Sequence, residues 1–218
     1  MNNTCFTTYK VVSEKKKDVT KLFKTIKRLD GRKTPLVKNG WYDPKLWLGC
    51  LVKALGGDPN KVYCRGTITF YEMEDDVLTL NTETAWAEMA ETRHFIESCF
   101  PGMKVYYIEE ESGCEIFNTN DSEGIYFKDR YYLDGFDDSE YFETLEEAAK
   151  YVKEIVGHYV EADFTAIDKA LSDYVEEHEE DNPDCYYSFH EFKEVNDKDN
   201  ERRRGHRASF LFFYRSHY

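Results

Sequence analysis

Between Val62 and Phe117 the chain reads as a strand, a hairpin, a second strand, a helix and a further hairpin in one uninterrupted run, and few folds accommodate that order. Val62, Cys64, Gly66, Ile68 and Phe70 alternate with Tyr63, Arg65, Thr67, Thr69 and Tyr71, the period of a half-buried strand. Glu74-Asp75-Asp76 supplies a polar turn, and Val77 to Asn81 reads as the partner strand. Thr82 or Thr84 caps a helix carrying Trp86, Met89, Ile96, Cys99 and Phe100 on one stripe. Pro101-Gly102 stops it, and Val105 to Ile108 resumes extended structure. On this reading Trp86 is a core anchor beneath the sheet.

Upstream, Cys5 to Val12 is rich in β-formers and gives a first strand. Ser13 to Leu29 follows as a helix whose apolar stripe is Val19, Leu22, Phe23, Ile26 and Leu29, with its lysines mostly elsewhere on the cylinder. Asp43-Pro44 opens a short helix bearing Leu46, Trp47, Leu48, Leu51, Val52 and Leu55, and Gly56-Gly57 closes it. The expected class is therefore α+β. Without the short helix the order is βαββαβ, a ferredoxin-like sandwich of four antiparallel strands with two helices on one face. The short helix is then an insertion, and Cys114 to Thr119 and Ile125 to Leu133 add edge strands.

Composition shifts at Asp134-Gly135-Phe136-Asp137-Asp138, which divides an expected domain of residues 1–135 from an acidic α+β module of residues 136–218. Thr144-Leu145-Glu146-Glu147 is a capping box, and Leu145, Ala148, Ala149, Val152, Ile155, Val156 and Tyr159 continue as a helical stripe. A second helix starts near Asp163 or Thr165 and ends before Pro183. Tyr186 to Val195 and Ala208 to Tyr214 complete a hairpin.

The 218 residues are 41% hydrophobic and 16% aromatic, enough to bury a core. No apolar run approaches the roughly 18–20 residues of a membrane span, and the N-terminus lacks the basic and apolar regions of a signal peptide. The expected compartment is the cytoplasm, with no membrane partner. Cys5, Cys50, Cys64, Cys99, Cys114 and Cys185 are widely spaced beside apolar or aromatic neighbours, as reduced core thiols are.

The net charge of −14 is uneven. Residues 1–61 hold 14 Lys+Arg against 5 Asp+Glu, whereas residues 62–218 hold 15 against 38. Such a chain does not coat nucleic acid with its bulk, but a basic N-terminal face can bind it locally.

Catalytic motifs are missing. His94, His158, His178, His190, His206 and His217 form no zinc-binding pair, and neither phosphate-binding glycine motif is present. Asn118 to Gly124 fails the spacing of a calcium loop and reads as a turn; Glu109-Glu110-Glu111 reads as a solubilising strand end. No cofactor, metal or catalytic residue is expected, and a scattered active site requires a pocket where Arg93 or His94 meets a carboxylate. Arg202, Arg203, Arg204 and Arg207 form a basic loop suited to gripping phosphate. Tyr126, Tyr131, Tyr132, Tyr186 and Tyr187 suit either strand core or a base-stacking platform.

Trp41-Tyr42 through Trp47-Leu48-Gly49, Leu78 to Trp86 with its Thr84-Ala85-Trp86, Phe100-Pro101-Gly102 and Tyr106 to Glu110 together resemble the YubB-type ferredoxin-like domain proteins of bacterial plasmids, integrative elements and phages. The resemblance covers about residues 1 to 135. It implies a ferredoxin-like fold and a mobile-element origin, with no catalytic residues to carry over. The first functional expectation is an interaction protein that engages a basic protein partner through the acidic surface of residues 134–181, marked by Glu146, Glu147, Glu176 and Glu177. Residues 136–181 hold 3 Lys+Arg against 16 Asp+Glu, which suits a DNA mimic. The alternative is a nucleic-acid-binding module using the basic first helix and the Arg202 to Arg207 loop.

Overall fold

The computed structural model describes residues 4–38, 44–136, 138–178, 180 and 182–195. It divides into two compact units, Met1–Asp121 with Glu194–Tyr218, and Ser122–Lys193. The expected border near Asp134–Asp138 falls inside the second of these. Both units mix helix and strand, as an α+β chain must. No described helix is long and apolar enough to cross a membrane.

Unit 1 runs β1 (Thr4–Ser13), α1 (Lys16–Asp30), α2 (Leu48–Ala54), β2 (Gly66–Glu74), β3 (Val77–Ala85), α3 (Ala90–Cys99), β4 (Met103–Glu111) and β5 (Ile116–Thr119). Its sheet has the order β2-β3-β1-β4-β5, extended by the short β9 (Lys193–Glu194) where the chain re-enters the unit. β1 lies between β3 and β4, antiparallel to both, and β3 is antiparallel to β2. Cross-strand partners share a face, so register sorts the side chains. Leu78, Val11 and Val105 line one row of the helix-facing side, and Leu80, Tyr9 and Tyr107 the next. α1 contributes Val19, Leu22, Ile26 and Leu29 to the same core, and α2 and α3 add Leu51, Val52 and Ile96. Toward the other end of that face the rows turn polar, with Thr82 across from Thr7, Thr84 across from Cys5, and Glu109 across from both Thr7 and Asn118.

The β2–β3 turn is tighter than its polar sequence announces. Asp75 and Asp76 both have positive φ, 45° and 66°, which matches the strand twist of a two-residue hairpin. β3 also outruns the expected stop at Asn81: Thr82 and Thr84 pair with β1 instead of capping a helix, and α3 begins only at Ala90. The link between them carries Trp86 at φ 75°, with 48% of its surface exposed. The expectation that Trp86 is a core anchor is thereby corrected, because a strand prolonged to Ala85 leaves the tryptophan in the turn rather than on the helix stripe.

Unit 2 contains β6 (Tyr131–Gly135), β7 (Ser139–Phe142), α4 (Leu145–Val156), α5 (Phe164–His178) and β8 (Tyr187–Glu191). β6 is the centre of a three-stranded sheet, antiparallel to β7 and β8. Residues 125–130 are not strand, so the expected run from Ile125 shortens to β6. Leu133, Phe142 and Phe189 meet Ala148, Val152, Ile167 and Leu171 of the two helices. Thr144 caps α4 as its sequence announces, accepting from the Glu147 N–H at 3.2 Å, while Glu147 reaches back to the Glu143 N–H at 3.1 Å. Gly157 closes α4 in the left-handed region at φ 77°. Tyr131 stacks on Phe189 and Tyr132 lies 4.7 Å from Tyr141, so these tyrosines pack within unit 2's own sheet. β8 and β9 belong to different sheets, and the expected strand Ala208 to Tyr214 lies outside the described residues.

Candidate functional site

An amphipathic helix on a sheet leaves one face to water, and the composition of that face decides what it can bind. In α1 every exposed residue is a cation: Lys16, Lys17, Lys21, Lys24, Lys27 and Arg28. Lys16 pairs with Asp76 at the β2–β3 turn. Lys17, Lys21, Lys24 and Arg28, spaced i, i+4, i+7 and i+11, fall on one stripe and have no ion-pair partner among the described residues. They form one wall of a groove of about 740 Å³. The other side is made by Ala54 and Leu55 at the end of α2 and by Cys99 and Phe100 at the end of α3. Lys21 Nζ stands 5.5 Å from the centre of the Phe100 ring. The breakers Gly56-Gly57 and Pro101-Gly102 made both helix ends legible; that the two ends converge beside α1 is a property of the tertiary fold.

A second constellation lies within the core of the same unit. Arg93 Nε and Nη2 donate to Glu88 Oε1 at 3.3 and 3.2 Å, and the Tyr9 hydroxyl donates to Glu88 Oε2 at 3.2 Å. The Glu88 N–H donates to Glu109 Oε2 at 2.7 Å, and Asn118 Nδ2 donates to Glu109 Oε1 at 2.7 Å. The Cys5 thiol lies 3.6 Å from Glu109 Oε2. The Arg93 guanidinium also lies over the Tyr107 ring at 5.1 Å, and its Nη1 is 4.0 Å from Glu97, which meets His94 Nδ1 at 3.2 Å. Burial first, then the neighbouring Glu109, push the Glu88 carboxyl up to about 7 against the pull of Arg93. Burial and Glu109 likewise raise the Cys5 thiol to about 12, and burial with Glu88 holds the Tyr9 hydroxyl well above its ordinary value.

Glu109 and Glu111 are therefore not a solubilising strand end: both are buried, because alternate residues of β4 face the helices. Arg93 and His94 do meet carboxylates, yet the cavity Arg93 lines holds only about 20 Å³, room for little more than a water molecule. The Asn118–Gly124 stretch is more than a turn, since Asn120 Oδ1 accepts from the Tyr107 N–H and its Nδ2 donates to Val105 O, prolonging the β4 ladder.

The acidic residues singled out in the sequence are all exposed. Glu146 and Glu147 sit in the first turn of α4, where the positive end of the helix dipole favours them and Glu147 serves the cap. Glu176 and Glu177 sit near the end of α5, where the dipole opposes them. Arg202, Arg203, Arg204 and Arg207 lie outside the described residues. Among the described residues no group of three or more His, Cys, Asp or Glu is placed to hold a metal ion. None of the six cysteines forms a disulfide among the described residues; Cys114 is exposed and Cys99 half-buried.

No family model matches the chain, and no curated protein matches it. A solved structure, an unknown protein from Galdieria sulphuraria, aligns with 86% of this chain and 98% of its own at 12% identity and a TM-score of 0.21, a likeness too slight to carry a fold or a function across.

Proposed function

We propose that the chain is a non-catalytic binding protein that takes nucleic acid along the basic groove of α1. The observation that carries this reading is the stripe Lys17, Lys21, Lys24 and Arg28, four cations without a carboxylate partner among the described residues, lining a groove of about 740 Å³. Unpaired cations in a row repel one another, so a helix gains nothing from them by itself; a polyanion relieves that repulsion and releases its counterions. The scaffold of the proposal is a ferredoxin-like sandwich of the YubB type from a mobile element. Support for the sandwich comes from the order β2-β3-β1-β4 with every neighbouring pair antiparallel and α1 and α3 sharing one core.

The test is binding of labelled nucleic acid at low salt, followed by anisotropy. The variant Lys17→Glu/Lys21→Glu/Lys24→Glu/Arg28→Glu should lose binding while keeping its far-ultraviolet circular dichroism. Retained affinity in that folded variant removes the groove from the reading.

A second reading, a basic protein partner for the acidic unit 2, is favoured by Glu176 and Glu177, exposed carboxylates at the end of α5 that the helix itself disfavours. Charge reversal of Glu146, Glu147, Glu176 and Glu177 should abolish capture of that partner, and unchanged capture would sink the idea.

A further inference from the structure

The two sides of the α1 groove differ in chemistry, and the difference selects among nucleic acids. We infer, resting on the binding reading above, that the groove takes a single strand by its backbone and is indifferent to base sequence. Lys17 to Arg28 spans eleven helical steps, about 16 Å at the α-helical rise, so the cations form a line rather than a cup. A compact anion such as a free nucleotide is held by converging donors; a line suits consecutive phosphates of a polymer.

Among the described residues no cation lines the facing side. It consists of Ala54, Leu55, Cys99 and Phe100, at the C-terminal ends of α2 and α3, where helix dipoles are negative. Phosphate is favoured on one side only, and the other offers apolar surface and helix-end carbonyls suited to sugars and base edges. A single strand has this asymmetry, with phosphates on one edge and bases on the other. A duplex presents phosphates on both edges. A helix entering the major groove must also stand clear of its neighbours, whereas the cationic stripe of α1 is flanked by the ends of α2 and α3.

Sequence indifference follows from the described lining of the groove. Among the described residues the one aromatic that lines it, Phe100, is 4% exposed and has Lys21 over its ring, so it offers no open stacking platform to a base. Contact through four cations then sets the salt dependence. For a single strand the slope of log K against log salt is about −0.7 per neutralised phosphate, hence about −2.8, which weakens binding about 50-fold between 50 and 200 mM salt.

The experiment titrates the full chain with a labelled oligothymidylate, a mixed-sequence strand of equal length and the corresponding duplex, each at several salt concentrations. The two strands should bind alike with a slope near −2.8, and the duplex at least about tenfold more weakly. Lys24→Gln should reduce the slope by about 0.7, whereas Lys27→Gln, an exposed cation of the same helix that does not line the groove, should leave it unchanged. A duplex that binds as tightly as the strand, a strong preference between the two strands, or equal effects of Lys24→Gln and Lys27→Gln overturns this inference while leaving nucleic-acid binding intact. Absence of binding to every probe at low salt overturns the binding reading itself.

Discussion

Unit 1 carries 23 Lys+Arg against 22 Asp+Glu, and unit 2 carries 6 against 21. The nearly neutral unit is nonetheless the one that buries charge: Glu88, Arg93, Glu109, Glu111 and Asp121 are all withdrawn from solvent. Unit 2, at net −15, buries no charged side chain among its described residues, and its core is Leu133, Phe142, Val152, Ile167, Leu171 and Phe189 with the alanines of α4. Net charge and electrostatic consequence are thus separated in this molecule. Charge in a low-dielectric core governs stability and its pH dependence, whereas charge on a wet surface is screened and governs association.

The largest effect that tests this contrast is the loss of Arg93. Its guanidinium donates to Glu88 in the core, and it is 1% exposed against 3% for its partner. Removing one member of a buried pair leaves the other without compensation, so Arg93→Ala should lower the stability of unit 1 by about 3–5 kcal/mol. Trp41, Trp47 and Trp86 all belong to unit 1 and unit 2 has none, so tryptophan emission during denaturant unfolding reads the affected unit selectively. A loss under about 1 kcal/mol would place the pair among ordinary surface bridges and erase the distinction between the units.

Glu88 gives the next effect, and its sign is fixed by the direction of its shift. Folding raises this carboxyl from 4.5 to about 7, so the native state binds the proton more tightly than the unfolded chain. The stability it contributes is fully present below about 4.5 and is lost as pH rises through about 7. Between pH 5 and pH 8 unit 1 should therefore lose stability from this group, on the order of 3 kcal/mol. Glu88→Gln cannot titrate and should flatten that part of the curve, and the difference between the two proteins isolates the contribution of this one group. Parallel curves for the two proteins would mean that Glu88 stays ionised throughout and that Arg93 outweighs burial.

The elements legible in the sequence were those fixed by local signals. The stripe from Val19 to Leu29, the Thr144 cap and the hairpin acids Asp75-Asp76 each need only neighbours within a turn, and each stands where its pattern places it. Thr82 and Thr84 misled because a threonine serves a helix cap and a strand equally well, and only pairing with Cys5 and Thr7, some 75 to 80 positions away, decides between them. The same distance hid the core charges: Tyr9 meets Glu88 across 79 positions and Glu88 meets Glu109 across 21. The basic side of the groove was legible as a helix face. Its opposing side was not, because the ends of α2 and α3 meet only in three dimensions.

The smallest effect belongs to unit 2 and defines the other limb of the comparison. Thr144→Ala removes the acceptor of the Glu147 N–H at the start of α4 and should cost about 1 kcal/mol, while Thr144→Ser, which keeps the hydroxyl, should recover most of it. Glu146 and Glu147 are both exposed, and unit 2 buries no charged side chain among its described residues. The cost should therefore be the same at both ends of the range in which Glu88 changes the stability of unit 1. Helical circular dichroism during denaturation measures it. A loss at pH 8 that differs from the loss at pH 5 by more than a few tenths of a kcal/mol would show that the acidic surface of unit 2 acts on its fold as buried charge does, and the contrast between the two units would fail.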